Sequence, residues 1–211
     1  MADLDKLYEA ILAGKLNIAK EVTNEAIAEN IDPHLIINNY MSRAMEGIGK
    51  RFEEGKAFVP ELLMAARAMK GALDLLKPQL KGAASYSLGK VVIGTVKGDL
   101  HDIGKNLVAS MLEGCGFEVI NLGTDISSEK FINALKENQA QILCLSALLT
   151  TTMNYMQEVI KALEENGLRS QVKVMVGGAP VSESFARQIG ADGYSDNANA
   201  AVTLAKSLLS A

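Results

Sequence analysis

Several things are scarce in this chain. It holds two cysteines, two histidines and four prolines in 211 residues. Cys115 falls near the end of one predicted helix and Cys144 inside one predicted strand. Those places suit buried thiols, and a cytoplasmic setting follows from thiols left unbridged. No apolar run approaches the roughly 18 residues that a membrane-spanning helix needs, so no such helix is expected. The start, Met1-Ala2-Asp3-Leu4-Asp5-Lys6, lacks the basic opening and apolar core of a secretion signal. Positive charge is not in excess: Lys and Arg number 21 against 25 Asp and Glu, for a net charge of −4. With a pI near 5.3, that balance argues against nucleic acid as a partner. Apolar residues are abundant, at 48% beside 22% charged. That is a globular composition, long enough for one large or two small domains.

The first part of the chain reads as helix throughout. Asp3 caps a run with Leu4, Leu7, Tyr8, Ile11 and Leu12 at helical spacing, and Gly14 ends it. A second helix carries Ile18, Val22, Ala26 and Ile27. Asp32-Pro33 marks a third start, with Asp32 as cap and Pro33 in the first turn; Leu35, Ile36, Tyr40, Met41, Met45 and Ile48 follow. His34, in that first turn, reads as structural. The fourth helix opens near Val59-Pro60-Glu61 and runs to Pro78. Four helices with short turns predict a bundle over residues 1–82. Small, polar, aperiodic residues at 83–89 read as a linker.

From residue 90 to 211 the pattern changes. Short β-branched runs (Val91–Thr95, Glu118–Leu122, Ile142–Ser146, Val172–Val176 and a brief one at Gly193–Ser195) alternate with amphipathic helices. Strict alternation predicts a parallel sheet with helices on both faces, and five strands suit the flavodoxin-like (Rossmann-like) order 2-1-3-4-5. In such sheets ligands bind beyond the carboxyl ends of the strands, where the order reverses between strands one and three. The stretch Gly94 to Asn106 leaves strand one there, and Ser146 ends strand three.

That stretch holds His101, with Asp99 two residues before it and Asp102 next to it. A neutral imidazole is the commonest ligand for a transition metal, and a ligating histidine usually donates its other ring N–H to a carboxylate. Asp99 is placed for that. The same three residues also fit a loop histidine bonded to a neighbouring aspartate for local reasons. A metal held by side chains alone needs three or four ligands, which this sequence does not readily supply. A metal at His101 therefore needs most of its coordination from elsewhere, such as a macrocycle.

Here a specific resemblance enters. Asp99-Leu100-His101-Asp102-Ile103-Gly104 resembles the Asp-x-His-x-x-Gly signature of cobalamin-binding domains, and the match extends from Gly98 through Lys105-Asn106. Ser146-Ala147-Leu148 is similar to the family's Ser-x-Leu element and Gly177-Gly178 to its Gly-Gly element, in the same order. Gly55-Lys56-Ala57-Phe58-Val59-Pro60-Glu61-Leu62 resembles the helical cap of these proteins. The likeness covers nearly the whole chain. It runs to the two-domain corrinoid proteins of methyltransferase systems that use methanol, methylamines or related donors, and to the corrinoid module of methionine synthase.

The resemblance implies cobalamin or a related corrinoid, in methylcobalamin and Co(I) forms, bound base-off with His101 as lower axial cobalt ligand and Asp99 behind it. Thr152 stands where the family often has a serine hydroxyl. Gly98, Asp102, Ile103, Gly104 and Leu148 are further residues the resemblance places in the cofactor site. Ser146 and Thr150 would donate to the nucleotide tail, which passes small residues at Gly104, Ser146, Gly177 and Gly178. The stretch Gly193 to Ala198 would close the far end. On the upper face Phe58 is the expected cover, whereas Leu62, Ala65 and Met69 read mainly as bundle core. The implied role is a methyl carrier between a substrate-specific methyltransferase and an acceptor methyltransferase, with a reductive activase as a further partner. The cofactor would do the chemistry and the chain would position it. Other readings of the same fold are a cobalamin-dependent sensor, for which no basic DNA-binding segment is evident, an FMN or receiver protein, and the carrier half of a mutase.

Overall fold

A computed structural model of the protein describes residues 1–80 and 87–210. The described residues fall into two compact units. One is drawn from Met1–Ser87 and Ser110–Gly116, the other from Leu88–Ala109 and Phe117–Ala211. The expected linker at 83–89 lies outside the described residues as far as 86.

The first unit is helical. Asp3 caps α1 (Leu4–Leu12) by accepting the Lys6 N–H. α2 (Leu16–Ala28) packs on α1 and on α5 (Val59–Leu76). The stretch expected as one third helix is α3 (Pro33–Ile36), a π turn (Ile37–Met41) and α4 (Ser42–Glu53) in succession. The π turn is seen in the Ser42 N–H donating to the Ile37 carbonyl, five residues back. Ile36, Ile37 and Met41 are all fully buried around it. In α5, Leu62, Ala65, Met69, Leu73 and Leu76 face the core, so Leu62, Ala65 and Met69 are bundle interior. Small residues at Ala65, Ala68 and Ala72 allow close helix approach. At the start of α5 the Glu61 carboxylate accepts the Phe58 N–H.

The second unit is a five-stranded parallel sheet of order β2-β1-β3-β4-β5. Its strands are β1 (Lys90–Thr95), β2 (Glu118–Asn121), β3 (Ile142–Ser146), β4 (Lys173–Gly177) and β5 (Gly193–Tyr194). Between them run α6 (Ile103–Gly114), α7 (Ser128–Asn138), α8 (Asn154–Glu165) and α9 (Glu183–Gln188), and α10 (Ala198–Ser210) follows. Alternation along the strands divides the core. Val92, Leu143, Leu145, Val174 and Val176 pack with Phe131 and Leu135 of α7 and Met156 and Ile160 of α8. Val91, Ile93, Ile142, Cys144 and Met175 are buried on the alternate positions, and α10 packs against β4 and β5. Burial pushes the Cys144 thiol up to about 12, so it is a packing residue and not a nucleophile. The register sets Thr95 beside Ser146 and Ser146 beside Gly177. Three strand ends that carry sequence motifs are thus neighbours.

Phe131 is the largest wholly buried side chain, and its ring lies against the backbone of Gly94 in β1. Phe131→Ala is expected to destabilise the protein by roughly 3–5 kcal/mol, read as a lowered urea midpoint at unchanged slope. A loss below about 1 kcal/mol would contradict this account of the core.

Candidate functional site

The site is built around a buried carboxylate. Asp99 is 0% exposed, one turn beyond the end of β1. Gly98 before it adopts φ +81°, which an L side chain rarely does. Its N–H is held by the Asp125 carboxylate at 2.8 Å. The chain thus turns sharply off the sheet and drives Asp99 inward.

Both Asp99 oxygens are occupied. Oδ1 accepts the His101 backbone N–H at 3.1 Å and the His101 ring Nδ1–H at 2.7 Å. Oδ2 accepts the Leu148 N–H at 2.7 Å, the Leu149 N–H at 3.2 Å and the Thr152 hydroxyl at 2.8 Å. Burial by itself raises the Asp99 pKa. The N–H groups of Leu148 and His101, the imidazole and the Thr152 hydroxyl outweigh it and hold the carboxyl well below the usual carboxylate range. The Thr152 hydroxyl also lies 2.9 Å from the Leu149 carbonyl. It has one proton for two acceptors, and the ionised carboxylate is the stronger.

A carboxylate accepts and cannot donate, so the Asp99 pairing puts the imidazole proton on Nδ1. Nε2 is then the ring's acceptor atom. No hydrogen bond among the described residues engages it, and the side chain is 51% exposed. The backbone of His101 is pinned as well, because its carbonyl accepts the buried Thr95 hydroxyl at 2.8 Å. The loops that carry and hold this ring also expose large apolar side chains. Leu100 and Ile103 are 74% and 86% exposed, and Leu148 and Leu149 are also exposed. Four large apolar side chains bared beside one oriented imidazole mark a binding surface.

The remaining expected residues are distributed as follows. Ser146 and Gly177 are register neighbours at half-buried strand ends. Gly178 has φ +132°, and a Cβ there would collide with the Ala147 carbonyl. Around Gly104 the space where a Cβ would project is open. Thr150 is exposed in the turn after β3. Ala198, at the start of α10, is buried and offers no side chain to a ligand. Phe58 belongs to the helical unit and is 68% exposed. Asp102 accepts the Asn106 side-chain amide at 2.9 Å. Sequence reasoning did not find the Leu149 N–H, Thr95 or Asp125. Backbone donors and buried hydroxyls leave no signature in residue order.

Among the described residues no group of three or more His, Cys, Asp or Glu side chains could hold a metal ion. A bare metal is therefore poorly served here. One neutral Nε2 above an apolar rim fits a metal that brings its own planar ligands, which is what a corrin does. The residues fit that group, and His101 is the side chain that would hold its metal.

A parallel sheet of this order defines a doubly wound α/β protein of the kind that binds ligands beyond its strand ends, at the switch point where Asp99 and His101 lie. The comparisons make it specific. The B12 binding domain family matches residues 89–203, and a second B12 binding domain model matches residues 3–77. Dimethylamine corrinoid protein 3 of Methanosarcina acetivorans is 44% identical over 212 residues, covering 99% of this chain and 100% of that protein. Trimethylamine corrinoid protein of Methanosarcina barkeri is 44% identical over 97% of this chain and 95% of that protein. A crystal structure of a cobalamin-binding protein from Desulfitobacterium hafniense superposes with a TM-score of 0.83 at 34% identity, over 99% of both chains. The methanol:cobalamin methyltransferase complex of Methanosarcina barkeri gives 0.84 at 31% identity, over 98% of this chain and 79% of that one. The chain belongs to the B12-binding family, whose cofactor is cobalamin or a related corrinoid.

Asp99→Ala would leave three backbone N–H groups, the hydroxyl and the imidazole without their acceptor. It is expected to cost about 3 kcal/mol, measured by urea denaturation of the cofactor-free chain. Nitrogen-15 spectra of the neutral His101 ring are expected to show the proton on Nδ1. An Nε2–H ring would contradict the orientation given to it here.

Proposed function

We propose that this chain is a corrinoid methyl carrier of a methyltransferase system. One observation carries the reading: His101 commits Nδ1 to a buried carboxylate and keeps Nε2 unengaged on a half-exposed ring, in loops that also bare Leu100, Ile103, Leu148 and Leu149. In this reading Nε2 would hold the cobalt of a bound corrinoid. Asp99 sets the tautomer and would strengthen the ligating nitrogen. Thr152 donates to Asp99 and steadies it.

The cofactor's nucleotide tail would be received at the ends of β1 and β3. Small residues at Gly104, Ser146, Gly177 and Gly178 suit close passage. The Ser146 and Thr150 hydroxyls donate to it. Gly98, Asp102, Ile103 and Leu148 border the ring, and the loop before Ala198 closes the distal end. When bound, the corrinoid supplies a cobalt centre that takes a methyl group from a donor and passes it to an acceptor. The chain itself binds, orients and shields. A substrate-specific methyltransferase would load it and an acceptor methyltransferase would unload it, with a reductive activase to restore the working state. The relatives named for dimethylamine, trimethylamine and methanol favour a methylated amine or alcohol as donor.

The protein reconstituted with hydroxocobalamin is expected to show a His-ligated, base-off visible spectrum. His101→Ala is expected to abolish that signature while retaining the fold. A variant spectrum identical to that of the wild type would end the axial-ligand reading.

A further inference from the structure

The histidine loop is held from two sides, and the second side is unusual. Lys105 is the third residue of α6 and is only 3% exposed. A cation in the first turn stands at the wrong end of the helix dipole. A buried cation is also costly without a paired charge, and among the described residues Lys105 makes no ion pair within 4.0 Å. Burial lowers its pKa, with Asp102 pulling it back up. A methionine would fill the same space at none of these costs, so the ammonium itself needs an explanation.

Its hydrogen bonds supply one. Nζ donates to Asn106 Oδ1 at 2.6 Å and to Asn121 Oδ1 at 2.7 Å. An ammonium only donates, so it forces both amide oxygens toward itself. The Asn106 NH2 must then point away, and it donates to Asp102 Oδ2 at 2.9 Å. A flipped Asn106 would set NH2 against ammonium and oxygen against carboxylate. The circuit closes at the end of β2. Asn121 Nδ2 donates to Asn106 Oδ1 at 3.1 Å, and Asn121 Oδ1 also accepts the Gly123 N–H at 3.1 Å. Asp102 is the residue directly after His101. Thus Asp99 ties one side of His101 to the β3 end, and the Lys105 circuit ties the other side to the β2 end.

We infer that Lys105 is a positioning residue for His101: by orienting Asn106 it anchors Asp102 and holds the histidine loop from the β2 side. The inference rests on the reading of His101 as the axial ligand. A ligand of this kind must be held within about 0.5 Å of its working position. Asp99 and the Thr95 hydroxyl hold His101 itself, and the Lys105 circuit adds a hold on the residue after it, which limits motion of the loop on its far side.

The test uses the full chain with Lys105→Met, which keeps the stem and removes the donors. In the cofactor-free protein, hydrogen exchange of the His101 and Asn106 backbone N–H groups is followed by NMR. In protein loaded with hydroxocobalamin and reduced to Co(II), nitrogen splitting in the electron paramagnetic resonance spectrum gives the ratio of His-ligated to unligated cobalt. Lys105→Met is expected to speed both exchanges and to lower that ratio by about tenfold, the effect of losing a charge-assisted bond. Asn106→Ala and Asn121→Ala are expected to act in the same direction, and they carry the test should Lys105→Met fail to fold. A lower melting temperature with wild-type exchange and a wild-type ratio would overturn the inference, since Lys105 would then only support the fold. His101→Ala separates the two claims. If the wild type itself lacks the nitrogen splitting that His101→Ala should remove, the ligand reading fails. If the wild type shows it and the Lys105, Asn106 and Asn121 variants do too, undiminished, the positioning claim fails alone.

Discussion

A carboxylate with no exposure is tolerable only when hydrogen bonds replace the water it has lost. Asp99 meets that condition with groups from two separate parts of the chain. Its own loop supplies the His101 N–H and ring, and the turn after β3 supplies two further N–H groups and a hydroxyl. Neither set alone would satisfy both oxygens. The buried charge therefore joins the ends of β1 and β3 and orients the imidazole in the same act. Removing the charge undoes both, which makes His101's direction a property of the folded sheet rather than of its loop.

The topology explains why this happens at β1. In the order β2-β1-β3-β4-β5 the chain leaves β1 toward one neighbour and later returns on the other side. The loops after β1 and β3 therefore diverge, and their strand ends leave a crevice. Backbone N–H groups at the start of the β3 turn point into that crevice with no strand to pair with. Asp99 accepts them. The Gly98 conformation and the Asp125 bond to its N–H bring the aspartate to the right depth.

Much of this was legible in residue order. Alternating β-branched runs and helices pointed to the parallel sheet, whereas the spacing of Asp99 and His101 was equally compatible with a local loop contact and took on a role only through the resemblance of the Asp-x-His-x-x-Gly stretch. Asp3 and Asp32 were readable as caps because a short side-chain oxygen before an apolar period has few other uses. Other parts could not be read. The π turn at Ile37–Met41 has no composition signal, since adjacent isoleucines suit an ordinary helix equally well. Thr152 reached its place only by counting from Ser146 in a family pattern. Leu149 contributes a backbone N–H, which every residue but proline has. Lys105 looks like a surface lysine because its neighbours Ile103, Gly104 and Asn106 are exposed, and residue order does not reveal that its own side chain is buried.

A single protein ligand also sets how binding must be divided. One neutral imidazole cannot by itself retain a metal against water, so most of the hold on a corrinoid must come from contact area. Leu100, Ile103, Leu148 and Leu149 stand in the open around the ring nitrogen. At roughly 25 cal/mol per Å2 of apolar surface covered, a few hundred Å2 on such side chains contributes several kcal/mol. The Asp99 and Lys105 networks tie the two flanks of the imidazole to different strand ends, Asp99 to the turn after β3 and Lys105 to Asn121 at the end of β2.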